Sequence, residues 1–162
     1  MHYNYFIWLR NKVTLQHNSR LGILYSEGNY GIVRDYEIAV KWFQLAAHQN
    51  NPVAISRLAY CLYDGDGITQ NKDEAARLWH SLSQPTTDNP NGNPAGQYGL
   101  GLVLTDKDYT GYNPKKGIKE LHKAAKQRDH IAQYQLGEIC HNGNDVSVNN
   151  KKADPDEMWP IA

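Results

Sequence analysis

The sequence predicts an all-α protein, a solenoid of about four stacked helical hairpins with the last one incomplete. Three observations predict it. The segment Leu21-Gly22-Ile23-Leu24-Tyr25-Ser26-Glu27-Gly28 returns in degraded form at Leu58, Leu100 and Leu136. Those leucines are 37, 42 and 36 residues apart, a period that belongs to stacked helix pairs. Within each copy the apolar residues recur at helical spacing, and Gly, Asn or Pro stands where a helix must start or stop. With 162 residues the chain is long enough for one domain, whose apolar surface is buried between neighbouring repeats rather than in a single centre.

The copies are placed at about 17–50, 51–92, 93–128 and 129–153. Residues 1–16 do not repeat cleanly; Tyr5, Phe6, Trp8, Leu9 and Val13 suit a short helix that caps the first repeat, as the ends of a solenoid require. In the first repeat Asp35 precedes the second helix, and Ala39, Trp42, Phe43, Ala46 and Ala47 form its inner face. The second repeat is the clearest. Asn51 and Pro52 open its first helix, and Ala54, Leu58, Ala59 and Leu62 share one face. Gly65 and Gly67 end that helix, and Ile68 plugs the turn. Asn71 caps a second helix from about Lys72 to Ser83, with Ala75, Leu78, Trp79 and Leu82 as its buried stripe. A Pro/Asn/Gly/Thr-rich loop, 84–93, is inserted before the third repeat. There Asn113-Pro114 caps the second helix, and Gly117, Leu121, Ala124 and Ala125 face inward. Glu120 replaces the aromatic of the first repeat, so weaker packing is expected at that slot. The fourth repeat keeps Ala132, Leu136, Gly137, Cys140 and Gly143, but Pro155 and Pro160 forbid a long helix beyond it. Residues 154–162 are expected to form an irregular tail, with Trp159 against the end of the stack.

The pattern Leu-Gly-x-x-Tyr-x-x-Gly…Gly-Ile-Val-x-Asp-x-x-x-Ala-x-x-Trp-Phe-x-x-Ala-Ala at 21–47 resembles the Sel-1-like repeat, a relative of the tetratricopeptide repeat. Residues 58–83, 95–125 and 132–153 are weaker copies. The resemblance implies a right-handed α/α solenoid with a concave face that binds other proteins. Members of that family are mostly adaptors and scaffolds, and many are bacterial. Some are immunity proteins that silence a toxin, including phospholipase effectors of the type VI secretion system. A cysteine-rich branch is associated with penicillin binding or β-lactamase activity and carries a disulfide in each repeat; this chain lacks those cysteine pairs.

Composition argues in the same direction. Lys+Arg and Asp+Glu are both 17, without the basic excess of a general nucleic-acid or anionic-membrane binder. The apolar run Tyr5–Leu9 is too short to span a bilayer and lacks the features of a signal peptide, so no membrane insertion and a cytoplasmic location are expected, with a periplasmic one as the alternative if the N-terminus is trimmed. Cys61 and Cys140 fall two repeats apart. With stacked helices about 8–10 Å apart, the thiols exceed the ~7 Å Cα separation of a disulfide, and both are expected as reduced core thiols.

No catalytic constellation emerges, and no cofactor or metal is expected. Asp64-Gly65-Asp66-Gly67 resembles the start of a calcium loop, but Ile68 and Ala75 stand where further oxygen ligands are needed. The seven histidines form no i,i+4 pair, and adjacent Cys140 and His141 point to different faces. No Gly-x-Ser-x-Gly, P-loop or dinucleotide fingerprint is present. Trp42 and Trp79 are assigned to the core.

Removing the core stripe from each first helix leaves a second stripe at i, i+4, i+7. It reads Ser19, Ile23, Ser26, then Ser56, Tyr60, Tyr63, then Tyr98, Leu102, Thr105, and finally Tyr134, Glu138, His141. On the family's handedness this stripe lines the concave surface. Ile23, Tyr60, Tyr63, Tyr98, Leu102, Tyr134, Glu138 and His141 are the candidate contacts for another protein, a toxin among the possibilities. Tyrosine joins large contact area to a polar tip, which suits an interface. The same rings are also suited to packing against the neighbouring repeat or the 84–93 loop.

Overall fold

The computed structural model describes residues 17–141, and all regular structure among them is helical. Seven helices follow in order: α1 (17–27), α2 (Tyr36–Ala47), α3 (Pro52–Asp64), α4 (Lys72–Ser83), α5 (Pro94–Thr105), α6 (Pro114–Lys126) and α7 (His130–His141). Each helix from α3 to α7 packs on its predecessor, and α3 also touches α5, so first helices stack beside first helices. This is a helical repeat solenoid. The expected N-terminal cap at 1–16, the fourth repeat beyond 141 and the tail at 154–162, with Trp8 and Trp159, lie outside the described residues.

One polar device sets every turn. The cap residue of each later helix uses its side chain on the first turn and its backbone N–H on the helix before. Asp35, Asn71 and Asn113 accept from Ile38, Glu74 and Lys116 through their side chains. Their own amides donate to the carbonyls of Tyr25, Leu62 and Leu104 at 2.8, 2.7 and 2.9 Å, which closes each hairpin. Between hairpins, Asn51, Asn93 and Asp129 do the same, donating to Ala46, Leu82 and Ala124, each at 3.1 Å. Such caps satisfy donors that a helix start leaves orphaned, at about 1 kcal/mol each. The 84–93 insertion keeps this closing bond, so it loops out without changing the stack. Lengthening a loop costs little entropy. Gln97, buried on α5, donates to the Asn91 carbonyl at 2.6 Å and accepts from Gln127 at 2.8 Å, which fastens the loop to α5 and α6.

The core is a row of small and large residues in alternation. Phe43, Trp79 and Leu121 are fully buried at equivalent slots of α2, α4 and α6. Small residues on the first helices make room for them. A Cβ on Gly22 would lie 2.4 Å from the Phe43 ring, and one on Gly101 would lie 2.6 Å from Leu121. Trp79 is also crossed by the next repeat: a Cβ on Gly99 would sit 2.2 Å from its indole. Glycine inside a helix costs about 1 kcal/mol relative to alanine, offset here by close packing around the indole.

Two expectations are corrected, at Trp42 and at Cys140. Trp42 is only half-buried, because its neighbour Phe43 takes the slot that faces the first helix. Beside Glu120, Leu121 fills the inner slot of α6, and Gly101 and Gly117 let α5 and α6 approach closely. Glu120 itself is buried and accepts from Lys123 at 2.8 Å. Cys140 is exposed, whereas Cys61 is buried; both are free thiols. On α7 only Ala132 is buried; among the described residues this helix packs chiefly on α6. Among the described residues no helix is long and apolar enough to cross a membrane, and no cluster of His, Cys, Asp and Glu could hold a metal ion.

Candidate partner-binding site

Two clefts open beside α3 and share Arg57 and Tyr60. The larger, about 520 Å³, lies where the starts of α3, α5 and α7 converge. Pro52, Val53, Ser56, Arg57 and Tyr60 come from α3, Asn93, Ala95 and Tyr98 from α5 and its cap, and Asp129 and Ile131 from the α7 start. The smaller, about 340 Å³, lies between α1, α2 and α3. Its wall carries Ser26, Glu27, Arg34, Tyr36, Arg57, Asp64 and Asp66, with Phe43, Tyr60 and Cys61 beneath.

The two clefts differ in chemistry. The larger has an apolar rim: Val53 is 49% exposed and Ile131 59%, although both belong to helices with good partners. Tyr134, one turn further along α7, is 68% exposed. Burial pushes the Tyr60 phenol far above its usual range, with Tyr98 and Asp129 adding to the effect. Tyr98 is raised by burial and by Asp129. Both hydroxyls therefore stay neutral and serve as hydrogen-bonding tips. In the smaller cleft Arg57 stands 3.8 Å from Glu27, and the Arg34 guanidinium lies 6.0 Å from the Tyr36 ring centre. Burial raises the Asp64 carboxyl, and Asp66 raises it further while Lys72 opposes. Cys61 is pushed up to about 11, first by burial and then by Asp66 and Asp64. It is an inert thiol at neutral pH.

The stripe expected from sequence divides. Tyr60 lines both clefts, and Tyr98 lines the larger with Ser56 beside it. Tyr63 lines neither. It turns to the seam between the second and third repeats, where its ring lies 5.7 Å from Trp79 and its hydroxyl donates to Asp106 at 2.8 Å. Lys72 reaches the same carboxylate at 2.7 Å. Tyr60 also touches the Trp79 indole edge-on at 5.0 Å, so it serves both the core and the cleft. Ile23 is half-buried against the core, and Leu102 and Glu138 are half-buried outside both clefts. His141 is exposed at the end of α7.

Reading only the i, i+4, i+7 stripe missed Val53, Arg57, Ala95, Asp129 and Ile131. A signal for three of them was available. Val53, Ala95 and Ile131 each stand two residues after a helix cap, at the same slot of successive repeats and off the core stripe. An apolar residue recurring at an outward slot marks a shared surface. Arg57 and Asp129 carried no such mark.

The repeat model of the Sel1 repeat family matches residues 18–51, 52–83, 94–129 and 130–153, so the chain belongs to the Sel1 repeat family. Proteins of this family generally mediate protein–protein interaction, and the fold is typically a non-catalytic module. A Sel1 repeat protein from Oxalobacter formigenes has a similar structure, with a TM-score of 0.63 and 25% identity, over 77% of this chain and 48% of that one. The fold is also that of c5321, a protective antigen of uropathogenic Escherichia coli strains, at a TM-score of 0.66 and 24% identity over 86% of this chain and 28% of that one. Among curated proteins, chitin synthase regulatory factor 2 of Schizosaccharomyces pombe is 28% identical over 127 residues. The chain spans 24% of the length of that relative.

Proposed function

We propose that the chain is a non-enzymatic binding module of the adaptor or scaffold kind, and that its partner protein docks on the two clefts along α3. The observation that carries this reading is the apolar rim of the larger cleft: Val53 and Ile131 stay exposed beside two half-buried tyrosines, Tyr60 and Tyr98. Exposed apolar groups around aromatic rings with polar tips are the composition of an interface centre. Glu27 faces Arg57 and Arg34 lies over Tyr36, and the residues lining the clefts include no nucleophile–base pair of the kind that catalysis needs. Two free thiols suit a reducing compartment.

The test is affinity capture with the wild-type chain and with the double variant Val53→Asp/Ile131→Asp. Prey bound by the wild type and lost by the variant, at an unchanged melting temperature, supports the reading. Prey retained by a folded variant places the interface elsewhere. An immunity role is compatible with the same cleft; it requires a toxin among the prey whose activity the wild-type chain abolishes.

A further inference from the structure

We propose that the occupant of the clefts is a short segment of the partner protein with a branched aliphatic anchor and, some distance along, a lysine or arginine. The inference rests on the reading above, that these clefts are the binding surface. It deepens that reading by naming the chemistry of the ligand.

The two clefts form one surface, because Arg57 and Tyr60 belong to both. At one end Val53, Ile131, Ala95, Pro52 and Tyr98 present carbon and offer Asp129 as the only carboxylate of that lining. An aliphatic side chain entering there removes exposed apolar surface on both sides, at roughly 25 cal/mol per Å². At the other end the charge balance is acidic. Glu27, Asp64 and Asp66 face Arg34 and Arg57. Glu27 already faces Arg57, and Arg34 lies over Tyr36. Asp64, the last residue of α3, and Asp66 just beyond it repel each other; Lys72 attracts Asp64 but is bonded to Asp106. An incoming cation relieves that repulsion, whereas an anion adds to it. The ligand is therefore complementary when it is apolar at one end and basic at the other.

The spacing follows from α3. Val53 stands near its start and Asp64 is its last residue. Eleven residues at about 1.5 Å each separate the two ends by roughly 16 Å. An extended ligand covers that distance in about five residues, and a helical one in about eleven.

Random peptides of about 16 residues, long enough for the helical spacing, are displayed on phage and selected on the purified chain. Enriched peptides are then titrated by fluorescence anisotropy. The expected result is a set that pairs an aliphatic residue with Lys or Arg at one of the two spacings. Asp64→Asn/Asp66→Asn should weaken those peptides roughly three- to tenfold and flatten their salt dependence. Val53→Asp/Ile131→Asp should abolish binding; if that variant fails to melt like the wild type, Val53→Ser/Ile131→Ser replaces it. Peptides sensitive to the apolar substitutions but not to the acidic ones leave the clefts as the binding surface and overturn the basic ligand. Peptides insensitive to both overturn the binding surface as well. Enrichment of acidic peptides, or of none, overturns the proposal. So does concentration-dependent dimerisation abolished by the Val53/Ile131 variant, which makes a second copy the occupant.

Discussion

The two sides of α3 put similar residues to opposite uses. Tyr63 joins the seam with the next repeat, while Tyr60, three residues earlier, opens onto the clefts. In the seam every large group has a designated neighbour: Trp79 has Gly99, and Asp106 has Tyr63 and Lys72. Along the larger cleft Val53 and Ile131 have apolar surface to spare, as does Tyr134 one turn beyond Ile131. Side-chain type does not decide which use prevails. The deciding factor is what the following repeat presents across the gap, and that is set by residues some forty positions away.

Substitutions on the two sides should separate stability from binding. Trp79→Ala is expected to have the largest effect, about 3–5 kcal/mol in chemical denaturation, because it empties the slot where two repeats meet. Trp79→Phe should recover most of that loss. Phe43 fills the equivalent slot of α2, and phenylalanine removes an indole N–H that is buried without a partner. If Trp79→Ala costs no more than an exposed substitution, the seam is not the stabilising side. Gly99→Val comes next, at about 1–3 kcal/mol, because its side chain must displace the indole. A neutral result would mean that the two repeats can separate freely at this crossing.

The polar part of the seam gives a smaller and pH-dependent effect. Burial alone would raise the Asp106 carboxyl, but hydrogen bonds from Lys72, the Asp108 amide and Tyr63 outweigh it and hold the group below the usual carboxylate range. A carboxylate lowered in the folded state contributes stability that is complete above its unfolded value, near 3.9. That contribution is lost as the pH falls through the lower folded value. Tyr63→Phe removes one donor and should cost about 1 kcal/mol at neutral pH. The difference from the wild type should shrink below pH ~4. A difference that stays constant on acidification would show that the ring, not the hydroxyl–carboxylate bond, is what Tyr63 contributes.

Much of the seam could be read from the sequence, because local rules govern it. Asp35, Asn51, Asn71 and Asn113 announce themselves as caps, and Gly65 takes the left-handed conformation at the end of α3, with φ of 84°. Contacts between repeats were less legible. Nothing local distinguishes Tyr60 from Tyr63, or says that Phe43 rather than Trp42 takes the inner slot. Cys140 shows the same limit. Its slot, four residues after the repeat leucine, is that of buried Leu62 in the second repeat, yet it is exposed, because burial in a solenoid depends on the neighbouring helix as much as on the slot. The stripe reading reached the cleft only through its tyrosines. Val53, Ala95 and Ile131 carried a second signal, the apolar slot two residues after each cap, whose meaning rests on the convergence of the helix starts.

The smallest stability effect is expected at the cleft rim and one turn beyond it on α7, and it is the sharpest test of the contrast. Ile131 and Tyr134 lie one turn apart on α7, both are more than half exposed, and neither makes a side-chain bond that holds two helices together. Ile131→Ser and Tyr134→Ala should therefore change stability by no more than about 0.5 kcal/mol. Truncating a central contact of an interface typically costs more than 1 kcal/mol of binding, so the same variants should bind a captured partner at least about fivefold more weakly. Melting curves and titrations on the same samples measure both quantities. Loss of stability without loss of binding would move these residues to the structural side of the molecule and leave the seam and the cleft with one role between them. Loss of binding alone would show that the repeat holds itself together with one set of apolar residues and reserves another for its partner.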